Sequence, residues 1–222
     1  MRTLLALAAL STSVSPLAGQ SLADMCRGLA SRLTQGDWAE YRMSGQQGTM
    51  EIRFAIVGKE AVAGKDHIWF EMKIKSPQGT MITQALVPGY PYEQTSVAAM
   101  VMKMGDQPAM KVPTSMLGMT QGMRGQNPGA GASAALQNCE RATMIGHETI
   151  EVPAGRFDAI HFRSTDAGQE GEGWVSEAVP LGMVKMTWAA NGGGEMVLLG
   201  HGKDAKSSIT ETPREMPGMP GR

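Results

Sequence analysis

Met50-Glu51-Ile52-Arg53-Phe54-Ala55-Ile56 and Ile68-Trp69-Phe70-Glu71-Met72-Lys73-Ile74-Lys75 are the stretches that decide the fold. Met50, Ile52, Phe54 and Ile56 in the first, and Ile68, Phe70, Met72 and Ile74 in the second, recur at every other position against Glu51, Arg53, Glu71, Lys73 and Lys75. A period of two sends alternate side chains to opposite faces of a strand, so both read as half-buried antiparallel strands. Gly58 to Lys65 reads as the loop between them, and Ser76-Pro77-Gln78-Gly79 as the turn into a third strand, Thr80 to Val87.

The pattern continues outward on both sides. Pro88-Gly89-Tyr90-Pro91-Tyr92 interrupts it, after which Met100, Met102 and Met104 share one face of a further strand, followed by Met110 to Val112. Residues 113–135, with Gly118, Gly122, Gly125 and Gly129, cannot form a continuous element and read as a mobile Gly/Met-rich loop or lid. Ala142 to Val152, Arg156 to Ser164, Glu172 to Ser176, Met183 to Ala189 and Glu195 to Gly200 then give five strands separated by Pro-, Gly- and Asn-containing turns, the signature of an up-and-down sheet. Upstream, Leu22, Cys26, Leu29, Ala30 and Leu33 have helical spacing. The tail, 211–222, repeats Pro, Met and Gly and reads as disordered.

The N-terminus carries an export signal. Arg2, the apolar run Leu4 to Leu10, Pro16 and the small residues Ala18 and Gly19 form its charged, apolar and cleavage regions, with cuts compatible after Ala18, Gly19 or Ala23. The apolar run is shorter than the roughly 20 residues of a membrane span. Cys26 follows Met25, with Ala23 three positions before it, which is not a lipid-attachment pattern. The expectation is a periplasmic or secreted, monomeric protein: residues 1–19 a cleaved signal, 20–210 one β domain. Cys26 and Cys139 are expected to form a disulfide in that oxidising compartment. A net charge of −1 without a basic stripe argues against nucleic acid or anionic membrane as partner.

Gly146-His147-Glu148-Thr149-Ile150-Glu151-Val152-Pro153-Ala154-Gly155-Arg156-Phe157-Asp158-Ala159, with Trp174-Val175-Ser176 and Val179-Pro180-Leu181-Gly182-Met183-Val184-Lys185, resembles a pattern in exported bacterial β proteins. Those in turn resemble the lipoprotein-carrier (LolA/LolB-like) open barrel, a strongly curved sheet wrapped around a helix. The resemblance implies a fold and an apolar-ligand role, and no catalytic residues. Together with the periodicity it gives the expected class: all-β with minor α, a curved antiparallel sheet or open half-barrel of about nine to eleven strands, an N-terminal helix against its concave face.

Catalytic templates fail. There is no Gly-x-Ser-x-Gly elbow, Walker loop or Ser-x-x-Lys, and His147-Glu148 lacks the second histidine of a zincin because position 151 is Glu. His67, His161 and His201 have no ligand-spaced Cys or carboxylate beside them. Glu170 and Glu172, set among Gly168, Gly171 and Gly173, read as a solvated hairpin rather than an acid/base pair. No enzyme activity or cofactor is expected.

Methionine is the outlier, 19 in 222 residues. Flexible thioethers on one wall make an adaptable apolar surface. The sequence therefore points to a non-enzymatic exported protein holding a lipid or acyl chain, with Ile52, Phe54, Phe70, Met72, Met100, Met102 and Met104 lining the cavity. Two other readings stand beside it: a Cu(I) site at Met100, Met102 and Met104, since soft thioethers select that ion, and an envelope interaction module without a small ligand.

Overall fold

The computed structural model describes Leu22, Gly28 and residues 32–46, 48–90, 92, 96–113, 142–166, 169–189 and 192–216. These form one open, curved sheet of nearly all-β character. Its strands are β1 (Trp38–Gly45), β2 (Gly48–Val62), β3 (Lys65–Ser76), β4 (Gly79–Val87), β5 (Ala99–Met104), β6 (Met110–Val112), β7 (Thr143–Val152), β8 (Gly155–Asp166), β9 (Gln169–Val175), β10 (Met183–Trp188), β11 (Gly194–Gly202) and β12 (Arg214–Glu215). The order across the sheet is β12-β6-β5-β4-β3-β2-β1-β11-β10-β9-β8-β7. Two meanders, β1 to β6 and β7 to β11, are thus joined where the first strand pairs antiparallel with the last long one. Consecutive strands β6 and β7 consequently lie far apart in the sheet order.

Three expectations are corrected. The loop placed over Gly58 to Lys65 contracts to Ala63 and Gly64, because β2 runs on to Val62, which pairs with Lys65. Ala63 and Gly64 have φ of 49° and 76°, and two left-handed residues make the hairpin turn whose twist matches that of the flanking strands. Of the Gly-rich stretch read as a hairpin with its strand starting only at Glu172, residues 169–173 already belong to β9, with Glu172 opposite Arg163 across the β8–β9 hairpin. The tail assigned to disorder from Glu211 onward contributes β12, parallel to β6, and this is the strand beyond the expected nine to eleven.

β12 is the end of a strap. After β11 the chain crosses the outer face of the first meander. The Trp38 indole N–H donates to Asp204 Oδ1 at 2.7 Å, the Ala205 amide to the Gly36 carbonyl at 2.9 Å, and Lys103 Nζ meets Glu211 Oε1 at 2.5 Å. At its centre Glu71, 1% exposed, accepts the Ser208 amide at 2.8 Å and Gln84 Nε2 at 2.7 Å, while Gln84 also donates to Ser207 Oγ at 2.7 Å. Ile209 packs there with Ile82, Val101 and Ala109.

The larger core lies on the opposite, inner face, where Tyr41, Phe162, Val184 and Leu198 are buried together. The Tyr41 hydroxyl donates to the Met183 carbonyl at 3.1 Å, so the buried phenol is satisfied. The Phe162 ring occupies the space beside Gly173, where a Cβ would come within 2.3 Å of it. At the far end the β7–β8 hairpin turns back: the Ala154 amide donates to the Leu198 carbonyl at 3.2 Å, and Phe157 lies 5.7 Å from the His201 ring.

Leu22 is helical and buried with this inner core, and Gly28 is helical. The other positions of the expected helix up to residue 31 lie outside the described residues, and Arg32 and Leu33 are not helical. The signal segment, Cys26, Cys139 and the loop from Thr114 to residue 135 are outside them as well.

Candidate apolar binding face

Strand register decides which residues share a surface, because directly opposed residues point the same way. One inner row runs Ile56, Phe70, Ala85, Met100 and Val112; the next runs Ala39, Phe54, Met72, Thr83, Met102 and Met110; a third runs Tyr41, Ile52, Ile74, Met81 and Met104. All seven residues proposed from the sequence as cavity wall therefore stand on one face. So does every methionine of the described strands: Met43, Met50, Met72, Met81, Met100, Met102, Met104, Met110, Met144, Met183, Met186 and Met196. The outer face carries Glu40, Arg42, Arg53, Lys73, Lys103 and Lys185.

The seven are not equivalent. Phe70 is closed over by the chain itself: its ring lies 5.9 Å from Phe54, 5.2 Å from Tyr90 and 5.8 Å from Tyr92, with Leu181 and Val97 completing the cluster. The Pro88–Tyr92 break in the strand pattern thus folds its tyrosines onto the inner face, a role that periodicity alone could not reveal. Burial holds all three tyrosine hydroxyls in their neutral form, that of Tyr92 with its pKa pushed up to about 12 and those of Tyr41 and Tyr90 further still. Ile52 and Met72 are buried, Phe54, Met100 and Met102 are half-buried, and Met104 is 59% exposed. The open part of the wall is accordingly its methionine end, on β4 to β6.

Chemistry-bearing groups gather elsewhere, on the outer face of the second meander. His161 stacks on Trp174 at 4.3 Å, with Nδ1 at 3.1 Å from Glu148 Oε1 and Nε2 at 3.5 Å from Glu172 Oε2. The Trp174 indole donates to the same Glu148 oxygen, Arg163 binds Glu172 at 2.6 Å, and Lys185 Nζ sits 5.4 Å from the Trp174 ring. The Arg163 hydrogen bond, aided by His161, holds the Glu172 carboxyl below the usual carboxylate range. Nothing in the sequence spacing links His161 to Glu148 and Trp174, since only the β7–β8–β9 register brings them together. Among the described residues no group of three or more His, Cys, Asp or Glu is disposed to hold a metal ion, and no helix is long and apolar enough to cross a membrane.

No protein-family model matches the sequence, and no curated protein matches it. Among solved structures the chain is similar to a predicted lipoprotein from Parabacteroides distasonis, at 13% identity and a TM-score of 0.37, covering 76% of this chain and 96% of that one. It is similar also to a predicted exported protein with a YmcC-like fold from Bacteroides fragilis, at 12% identity and 0.36, covering 77% and 97%. A DUF1329 family protein from Desulfovibrio piger gives 10% identity and 0.32, covering 86% and 92%.

Proposed function

We propose that this chain is an exported, non-enzymatic binding protein that holds a hydrophobic ligand, a lipid or acyl chain, against the inner face of its sheet. The observation that carries this reading is the segregation of the strand methionines. A core needs apolar volume, and Leu, Ile or Val supply it with better-defined rotamers; half-exposed thioethers supply a surface that reshapes around a guest. The export signal read from Arg2 to Gly19 supports an oxidising, extracytoplasmic setting. The closed Phe70 end acts as a floor, and Met102, Met104 and their neighbours on β4 to β6 as the contact surface.

Titration of the mature protein with cis-parinaric acid, paired with native mass spectrometry of protein purified from its own host, tests this. Enhanced fluorescence, displaceable by oleate, and an added lipid mass are expected. Met102→Glu is expected to weaken the probe at least about tenfold, because a carboxylate on an apolar contact surface must be desolvated on binding. A clean apo mass together with no probe fluorescence would remove the reading.

A further inference from the structure

We propose that Met81, Met102, Met104 and Met110, at the β4–β5–β6 end of the inner face, form a binding site for the soft monovalent ion Cu(I). Met102 stands directly opposite Met110 across β5–β6, and Met104 directly opposite Met81 across β4–β5. Opposed Cβ atoms lie about 5 Å apart, and Met102 and Met104 are about 6 to 7 Å apart along their strand. Each thioether swings on three rotatable bonds, so the sulfurs of three neighbours can converge on one ion above the sheet. Met100 stands outside this group, since the residues opposite it are Ala85 and Val112.

Three observations favour a ligand over simple packing. Met104 is 59% exposed, so apolar filling does not account for it. Methionine is not a favoured strand residue, whereas these positions are strand positions that Val, Ile or Thr would fill. Finally, the charged neighbours of β5 lie on the other side: Lys103 points outward and is bound to Glu211 at 2.5 Å, so the inner face here offers the four thioethers and, opposite Met102, the neutral hydroxyl of Thr83, with no charged oxygen ligand among the paired positions of β4 to β6. Thioethers alone select Cu(I) over divalent ions of the same compartment.

The test is anaerobic titration of the full mature chain with Cu(I) held by bicinchoninate, whose colour reports transfer to the protein. Wild type is expected to withdraw one equivalent. The Met102→Leu/Met104→Leu/Met110→Leu variant is expected to bind about a hundredfold more weakly or not at all, while keeping its thermal midpoint, since Leu conserves volume and apolarity. Should that variant prove unstable, Met104→Leu alone, at an exposed position, must still weaken transfer. The site shares Met102 and Met104 with the proposed lipid wall, and the probe tells the two readings apart: absence of parinaric fluorescence in wild type strikes the lipid reading and leaves this one standing. No transfer to wild type, transfer unchanged in the Leu variant, or transfer lost only when the Met43–Met196 pair is replaced by Leu would each overturn the assignment.

Discussion

The outer face of the sheet is finished in two ways. Over β3 to β5, Glu71, Gln84, Val101 and Lys103 point outward and lie beneath the strap that ends in β12. Over β8 to β10, His161, Arg163, Glu172, Trp174 and Lys185 point outward from the same alternation and stay at the surface. The comparison teaches that a polar residue at an outward strand position has no fixed worth, because what passes over it decides. Glu71 has exchanged water for two donors and has much to lose. The Arg163–Glu172 pair keeps its water, and exposed pairs of this kind contribute little.

The first meander, packed on both sides, should be the more fragile to truncation. Phe70→Ala removes the ring between Phe54, Tyr90 and Tyr92 and is expected to cost about 3 to 5 kcal/mol in urea unfolding. A loss below about 1 kcal/mol would show that the tyrosines do not close over it in solution. Glu71→Ala, one residue along and on the other face, leaves Gln84 Nε2 without one acceptor and the Ser208 amide without any, and is expected to cost about 2 to 3 kcal/mol. Faster hydrogen exchange at the Ser208 amide would localise that loss to the strap. An unchanged rate would separate the two and weaken the contrast.

A sharper probe of the inner side uses tyrosine, since Tyr41, Tyr90 and Tyr92 are the only three in the chain. Desolvation raises all three above the ordinary value near 10, and proximity to one another raises Tyr41 and Tyr90 further. Because the folded pKa values lie above the unfolded ones, the neutral phenols contribute stability that is complete below about pH 10 and lost as pH rises toward and past the folded values. Tyrosinate absorbance at 295 nm should therefore stay low at pH 10 and climb together with loss of the β-sheet circular dichroism signal. Smooth ionisation around pH 10 with the sheet intact would place these rings in water.

Much of this architecture was legible because a period of two is hard to disguise. Phe54, Phe70, Met72, Met100, Met102 and Met104 could be placed on one face from alternation alone, and the register bears that out. Alternation is local, however, and the missed features are not. The β1–β11 seam and the His161–Trp174–Glu148 group depend on pairings between distant segments. The strap escaped notice because Asp204 to Glu211 has no periodicity. It is held by side-chain donors and acceptors, backbone bonds and the packing of Ile209, and in the sequence Glu71 looks no different from Lys73 and Lys75, the other charged outward positions of β3. Lys59 and Glu60 misled in the opposite direction, since exposed positions near a hairpin end look like loop when the strand has simply run past the core.

The smallest effect discriminates best between the two finishes of the outer face. Arg163 and Glu172 sit directly opposite each other on β8 and β9, and the guanidinium bonds Glu172 Oε1 through both Nε, at 3.2 Å, and a terminal nitrogen, at 2.6 Å. That bond is the first cause of the lowered Glu172 pKa, with His161 a lesser one. A carboxyl whose folded pKa is depressed lends stability above its ordinary value near 4.5 and loses it as pH falls through the folded value, so whatever the pair contributes disappears on acidification. Arg163→Ala should return Glu172 toward the ordinary range in a carbon-detected NMR titration, incompletely because His161 remains, while the thermal midpoint at neutral pH stays unchanged because water replaces the lost partner. If the midpoint instead fell as far as it does for Glu71→Ala, the second meander would be carrying load on its outer face despite lying open, and solvent cover would not be what separates the two regions.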